Sequence, residues 1–142
     1  MDKKELVFED VIGETKGTEL ERAVKQNFNG ETSEVGIYLA LARQAQREGY
    51  PEIAEVFNTI AWEEAEHAAR FAELNGMIGD NLFDNIARML EGEIFSNNNK
   101  KEAANKAAEL GLEAARDYFN ESAKDEARHA RMLEGILKRY KK

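Results

Sequence analysis

An all-α fold built from two copies of one helical hairpin is predicted by three observations. These are a helix-favouring composition, apolar residues recurring at steps of three and four, and a repeat of the chain upon itself. The 142 residues include one proline, Pro51, and are rich in alanine, glutamate, leucine and lysine, which suits helices over strands. This length is expected to form one domain, residues 18–142, behind a polar lead-in of residues 1–17.

Thr18 is the expected N-cap of a first helix that runs to Arg47 or Glu48, where Gly49 supplies a stop. Pro51 suits the first turn of a second helix, which continues to the Asn75-Gly76 breaker. The stretch NGMIGDN then leads into a third helix from about Leu82. Its pattern is the weakest, because Ser96-Asn97-Asn98-Asn99 is poor helix material and a place for a kink or an interruption. Gly111 separates it from a fourth helix running toward Tyr140.

Sliding the chain against itself by 62 positions superposes Gly30-Glu31 on Gly92-Glu93, Gly49 on Gly111 and Phe57-Asn58 on Phe119-Asn120. The same shift lays Glu64-Ala65-x-His67-Ala68 on Glu126-Ala127-x-His129-Ala130. Each copy therefore has a glutamate on its first helix and Glu-x-x-His on its second, and the spacing from Glu31 to Glu64 equals that from Glu93 to Glu126. The only two histidines of the chain both belong to these motifs.

Ile53, Phe57, Ile60, Glu64, His67, Phe71 and Leu74 share one face of the second helix, as do Ala115, Phe119, Ser122, Glu126, His129, Leu133 and Ile136 on the fourth. The first helix turns Val24, Glu31, Val35, Tyr38 and Ala45 inward. Carboxylates on such stripes face a core, where they need a proton, a cation or a metal. No lysine or arginine lies on the stripes of the second and fourth helices, so a pair of divalent ions is expected to balance the charge. Glu64 and Glu126 are placed to bridge them, with one nitrogen each from His67 and His129. One Glu-x-x-His on a glutamate-rich helix is ordinarily a solvated face; two, each with a glutamate at the same upstream distance, match the arrangement known for di-iron and di-manganese carboxylate bundles.

Composition excludes other classes. A net charge of -8 disfavours phosphate contacts, so no nucleic-acid partner is expected. No cysteine leaves oxygen and imidazole as the metal ligands and rules out a disulfide framework or a cysteine nucleophile. The start, MDKKELVFED, has no apolar signal core, and no apolar run approaches membrane-spanning length, so a cytoplasmic protein without a membrane partner is expected.

At FNGETSEVGIYLALARQAQREGYPEIAEVF, AWEEAEHAARFAEL and KDEARHARMLEGILKRY the chain resembles the ferritin-like domain of the rubrerythrin family, over about residues 20–140. The resemblance implies a ferritin-like four-helix bundle with Glu31, Glu64, His67, Glu93, Glu126 and His129 at metal-ligand positions and Tyr38 beside the metals. It implies two iron ions per site, oxo- or hydroxo-bridged when oxidised, while manganese suits the same ligands. Two departures stand out. Rubrerythrins carry Glu-x-x-Glu on the third helix, the second glutamate moving on or off iron with redox state, whereas here Ser96 follows Glu93 and the extra acid is in the first repeat, Glu31-x-x-Glu34. That resembles the reverse-rubrerythrin pattern and makes Glu34 either a seventh, redox-mobile ligand or an exposed surface glutamate. Rubrerythrins also append a four-cysteine rubredoxin module; with no cysteine here, electrons are expected from an external donor such as a rubredoxin-like protein.

The implied activity is that of a peroxidase: reduction of hydrogen peroxide to water in oxidative-stress protection, with Glu34 and Tyr38 as catalytic candidates, Tyr38 orienting peroxide or a bridging ligand through its hydroxyl. Trp62 is expected in the core. A ferroxidase or iron-handling protein, and a helical interaction module with a vestigial metal site, are the alternatives. If the third helix runs parallel to the second, as the family's pseudo-twofold implies, the link must cross roughly 30 Å, while residues 75–81 reach only about 25 Å. A homodimer with hairpins exchanged between chains is therefore expected, with a simple antiparallel bundle as the alternative.

Overall fold

The computed structural model describes residues 12–140, and residues 1–11 of the lead-in lie outside them. Four helices follow in order: α1 (Glu21–Arg47), α2 (Pro51–Leu74), α3 (Leu82–Glu109) and α4 (Glu113–Tyr140). The chain divides after Ile78 into two units, in which α1 packs on α2 and α3 on α4. Each unit is one helical hairpin.

The breaker glycines act as local chemistry requires. Gly49 and Gly111 take φ of +86° and +69°, which lets Tyr50 N–H donate to the Ala45 carbonyl and Leu112 N–H to the Ala107 carbonyl. Both α1 and α3 thus end in the same left-handed glycine cap, one repeat apart. Pro51 opens α2, and Asn81 caps α3 by accepting from Phe83 and Asp84 N–H at 2.9 and 3.1 Å.

Two local expectations need correction. Thr18 is not the residue before α1, whose N-cap is Leu20. Its hydroxyl instead accepts from Leu20 N–H at 3.2 Å and donates to the Thr15 carbonyl at 2.7 Å, so it closes the turn that leads into the helix. Nor is α3 interrupted at Ser96–Asn99, which lie within one continuous helix where tertiary bonds offset weak propensity. Asn97 Nδ2 donates to the Ala123 carbonyl and Ser96 Oγ to Glu126 Oε1, both on α4.

The buried seam of each hairpin is alanine. Ala42 and Ala45 of α1 meet Ala54 of α2, with Phe57 packed against them, and Ala54, Ala61 and Ala68 recur at heptad spacing along α2. Ala104, Ala107 and Ala123 are buried in the second hairpin and are the repeat partners of Ala42, Ala45 and Ala61. The predicted stripes of α2 and α4 lie beside this seam rather than on it. Phe57, Ile60, Glu64, Phe71 and Leu74 are half-buried, while Ile53 and His67 are exposed. Trp62, expected in the core, is 69% exposed. Small side chains close the helix pairs, and large ones are left on their flanks.

The described end of the lead-in is pinned to the end of α2. Gly13 and Thr15 N–H donate to the carbonyls of Glu73 and Leu74 at 2.8 and 3.0 Å. The buried Thr15 hydroxyl lies 2.6 Å from Asn75 Oδ1 and 2.8 Å from the Leu74 carbonyl, and Asn75 Nδ2 donates to the Glu21 carbonyl at 2.9 Å. Thr15→Val keeps the shape and leaves Asn75 Oδ1 unpartnered. It is expected to lower stability by about 1–3 kcal/mol, measured by urea unfolding at constant metal content. Among the described residues, no helix is long and apolar enough to cross a membrane.

Candidate metal centre

Each hairpin gathers its own triad. Glu31 comes from the middle of α1 and meets Glu64 and His67, one turn apart on α2; Glu93 of α3 meets Glu126 and His129 of α4 in the same way. In both groups one ligand atom from each residue lies within 4.8 Å of the other two. The three-residue step from glutamate to histidine aligns both on one helix face, and the opposing helix brings a second carboxylate to them.

The geometry repeats closely. His67 Nδ1 lies 3.1 Å from Glu64 Oε2 and 3.7 Å from Glu31 Oε2, and His129 Nδ1 lies 3.3 Å from Glu126 Oε2 and 3.4 Å from Glu93 Oε2. All four carboxylates are largely shielded, with side-chain exposures of 16–20%. Glu31 Oε2 and Glu93 Oε2 are buried without a hydrogen-bond partner. An acceptor left so in both hairpins is costly unless a cation fills the space before it.

Electrostatics in the first hairpin point the same way. The Glu64 carboxylate beside Glu31, and then burial, push the Glu31 carboxyl above its ordinary range. Glu64 is held below that range by its contacts with Glu31 and then His67. Contact with Glu64 raises the His67 imidazole, chiefly by stabilising its charged form. Two carboxylates and one imidazole are a donor set suited to a divalent metal, whose binding competes with protons for the same atoms.

The remaining candidates lie around the first triad. Glu34 is exposed on α1, lines an open cleft with Gln26, Asn27, Gly30 and Glu31, and adds to the field that raises Glu31. It is not among the three residues brought together there. Tyr38 is half-buried, its ring 6.0 Å from that of Phe57 at a tilt of 39°.

Sequence reasoning passed over one residue at the second triad. No cation lies on the stripes of α2 and α4, yet α3 supplies one: the Lys100 ammonium pairs with Glu126 Oε1 and donates to Ser96 Oγ at 2.8 Å. The signal was present in the 62-residue offset, which sets Lys100 against Tyr38 and Ser96 against Glu34.

Comparison with known proteins agrees with this geometry. The Rubrerythrin family profile matches residues 22–137, a span that includes both triads. The chain belongs to the rubrerythrin family. Reverse rubrerythrin-1 of Clostridium acetobutylicum is 46% identical over 135 residues, covering 93% of this chain and 75% of that protein. A Porphyromonas gingivalis rubrerythrin is 29% identical over 135 residues, covering 86% of this chain and 68% of its own length. An uncharacterized protein of Methanocaldococcus jannaschii is 62% identical over 136 residues, 96% of each chain. The four helices place this rubrerythrin in the all-α, ferritin-like class. The family implies a di-iron site, and the two triads are groups that could hold its ions.

Proposed function

We propose that this protein is a non-haem di-iron peroxidase that reduces hydrogen peroxide to water with electrons from an external donor. The observation that carries the proposal is the pair of matched triads, each with a buried carboxylate oxygen lacking a partner. Membership of the rubrerythrin family supports the metal and the oxidative-stress setting. When bound, two ferrous ions supply one electron each, so that H2O2, two electrons and two protons give two waters.

The chain's residues have distinct parts in this reading. Glu31, Glu64 and His67 in the first hairpin, and Glu93, Glu126 and His129 in the second, would hold the metal through carboxylate oxygens and one imidazole nitrogen each. Glu34 is the proposed seventh, redox-mobile ligand, since it follows Glu31 by three positions on α1 and lines the same open cleft. Tyr38 orients peroxide through its hydroxyl, its ring held against Phe57. These carboxylates give an anionic surrounding that favours the oxidised metals and makes the reduced site a good reductant. With no cysteine in the chain, electrons come from outside its 142 residues, and a rubredoxin-like protein in the cytoplasm is the proposed donor.

The proposal includes a homodimer in which hairpins are exchanged. Large apolar side chains are exposed on both hairpins, Ile37 (62%) and Trp62 (69%) on the first, Phe95 (73%) and Met132 (58%) on the second. The buried seams hold mostly alanine. A second copy of the chain would cover such flanks, and the link between Leu74 and Leu82 is as short as the reach argument requires. Light scattering at micromolar concentration is expected to give twice the 16.1 kDa chain mass; a monomer would remove the exchange from the proposal.

Stopped-flow oxidation of the anaerobic, reduced, iron-loaded protein tests the activity. Two irons per site and faster oxidation by peroxide than by oxygen are expected. Faster reaction with oxygen followed by iron release would replace peroxidase with iron handling, and failure to hold iron would leave a helical scaffold.

A further inference from the structure

The internal repeat equates the hairpins residue by residue, so a difference beside the triads marks a difference in what the two halves do. Two differences fall on one face of the first helix of each pair: Glu34 is replaced by Ser96, and Tyr38 by Lys100. Lys100 stands two turns beyond Glu93 on α3 and reaches across to α4. Its ammonium donates to Glu126 Oε1 and, at 2.8 Å, to Ser96 Oγ, whose hydroxyl lies 3.3 Å from the same carboxylate oxygen. The pair is shielded, Lys100 being 23% and Glu126 16% exposed. In the first hairpin the equivalent Tyr38 ring packs on Phe57, and among the described residues no lysine or arginine is paired with Glu31 or Glu64.

The formal charges therefore differ. Glu31, Glu34 and Glu64 give the first half three carboxylates, while the second has Glu93 and Glu126 offset by Lys100. We infer that Lys100 is the resident counter-cation of the second half-site, seated on Glu126 with the help of Ser96, and that a metal ion entering there must displace it. The two half-sites then load in order, Glu31, Glu64 and His67 first, Glu93, Glu126 and His129 second.

This inference rests on the metal-binding reading proposed above. Lys100 occupies a carboxylate oxygen that the metal needs, and its fixed positive charge opposes a divalent ion a few ångströms away. Before metal arrives, the same charge satisfies a shielded carboxylate that would otherwise face its neighbour unbalanced. The flexible four-carbon stem allows the ammonium to withdraw while Ser96 remains as its acceptor. Lys100 is thus a positioning residue, acting through Glu126.

The test is an anaerobic titration of the full-length, metal-free protein with ferrous ion in a calorimeter, repeated with cobalt(II) and read by its visible absorption. The wild type is expected to bind in two steps whose affinities differ by about ten-fold or more. Lys100→Met should tighten the second step and close the gap, whereas Lys100→Arg should keep it. Metal-free Lys100→Met should also melt below the wild type, with the difference shrinking at metal saturation; a loss of packing alone would persist. Two equal steps in the wild type, or an unchanged gap in Lys100→Met, would overturn the inference while leaving metal binding intact. A wild type that binds neither ion would overturn the metal reading and the loading order with it.

Discussion

Glu31→Gln is expected to cut bound iron from two ions to at most one per site and to slow peroxide-driven oxidation by about a hundred-fold or more. The same change should raise the melting temperature of the metal-free protein. Both effects come from one carboxylate. Glu31 Oε2 is buried and unpartnered, and the neighbouring Glu64 and then burial disfavour its charge. The amide is neutral and can donate to Glu64, so the repulsion disappears together with the anionic ligand. The attraction it forfeits is small, because His67 is 57% exposed on its side chain and its field at Glu31 is weaker than that of Glu64. Iron content by plasma emission, oxidation rate by stopped flow and melting by calorimetry are read on one preparation. A variant that loses iron and also melts lower would mean that Glu31 is a structural residue.

Metal-free and metal-loaded protein are expected to respond to pH with opposite slopes. Without metal, the Glu31 and His67 groups are raised above their ordinary values of 4.5 and 6.5, so the folded state binds more protons than the unfolded one. The stability this gives is complete below those values and is lost as pH rises through the raised ones. Glu64 has the opposite sign: its depressed carboxyl stabilises the fold above 4.5 and ceases to do so as pH falls through its lowered value. Above pH 6.5 the His67 contribution decides, and the metal-free protein should lose stability as pH rises through the raised His67 value. Metal binding requires Glu31 ionised and His67 neutral, so it releases protons and strengthens with pH, by about ten-fold per unit for each proton released. A metal present at about a thousand times its dissociation constant adds roughly 4 kcal/mol of native-state stability. Melting curves with and without ferrous ion should therefore diverge as pH rises, and parallel curves would sink the assignment of these groups as ligands.

Much of the local structure was legible because it is written in short-range patterns. Gly49, Asn75-Gly76 and Gly111 stop the helices where a left-handed residue is needed, and Pro51 opens α2. Glutamate and histidine three positions apart must share a face on any helix, and the repeat showed which upstream glutamate belongs to each pair. The types of the candidate donors followed from chemistry, since a chain without cysteine offers oxygen and imidazole to a metal. The N-cap at Thr18 was misplaced because Thr18 bonds to both Thr15 and Leu20, and a hydroxyl in a preceding turn looks like a cap in sequence.

What the sequence determined by itself is the all-α class, the duplicated hairpin and the residues of the two triads, because helical periodicity and residue chemistry act within one element. Tertiary structure alone decided which faces close. The alanine seam carries little hydropathy, yet small side chains are what let two helices approach, so Ala42, Ala54 and Ala123 are buried while Trp62 is not. It also decided that Ser96–Asn99 continues a helix, since Asn97 and Lys100 find partners on α4 that no local pattern reveals. Finally it paired Lys100 with Glu126 across 26 positions of chain. A charge balance depends on distance in space, and spacing along one helix cannot supply it.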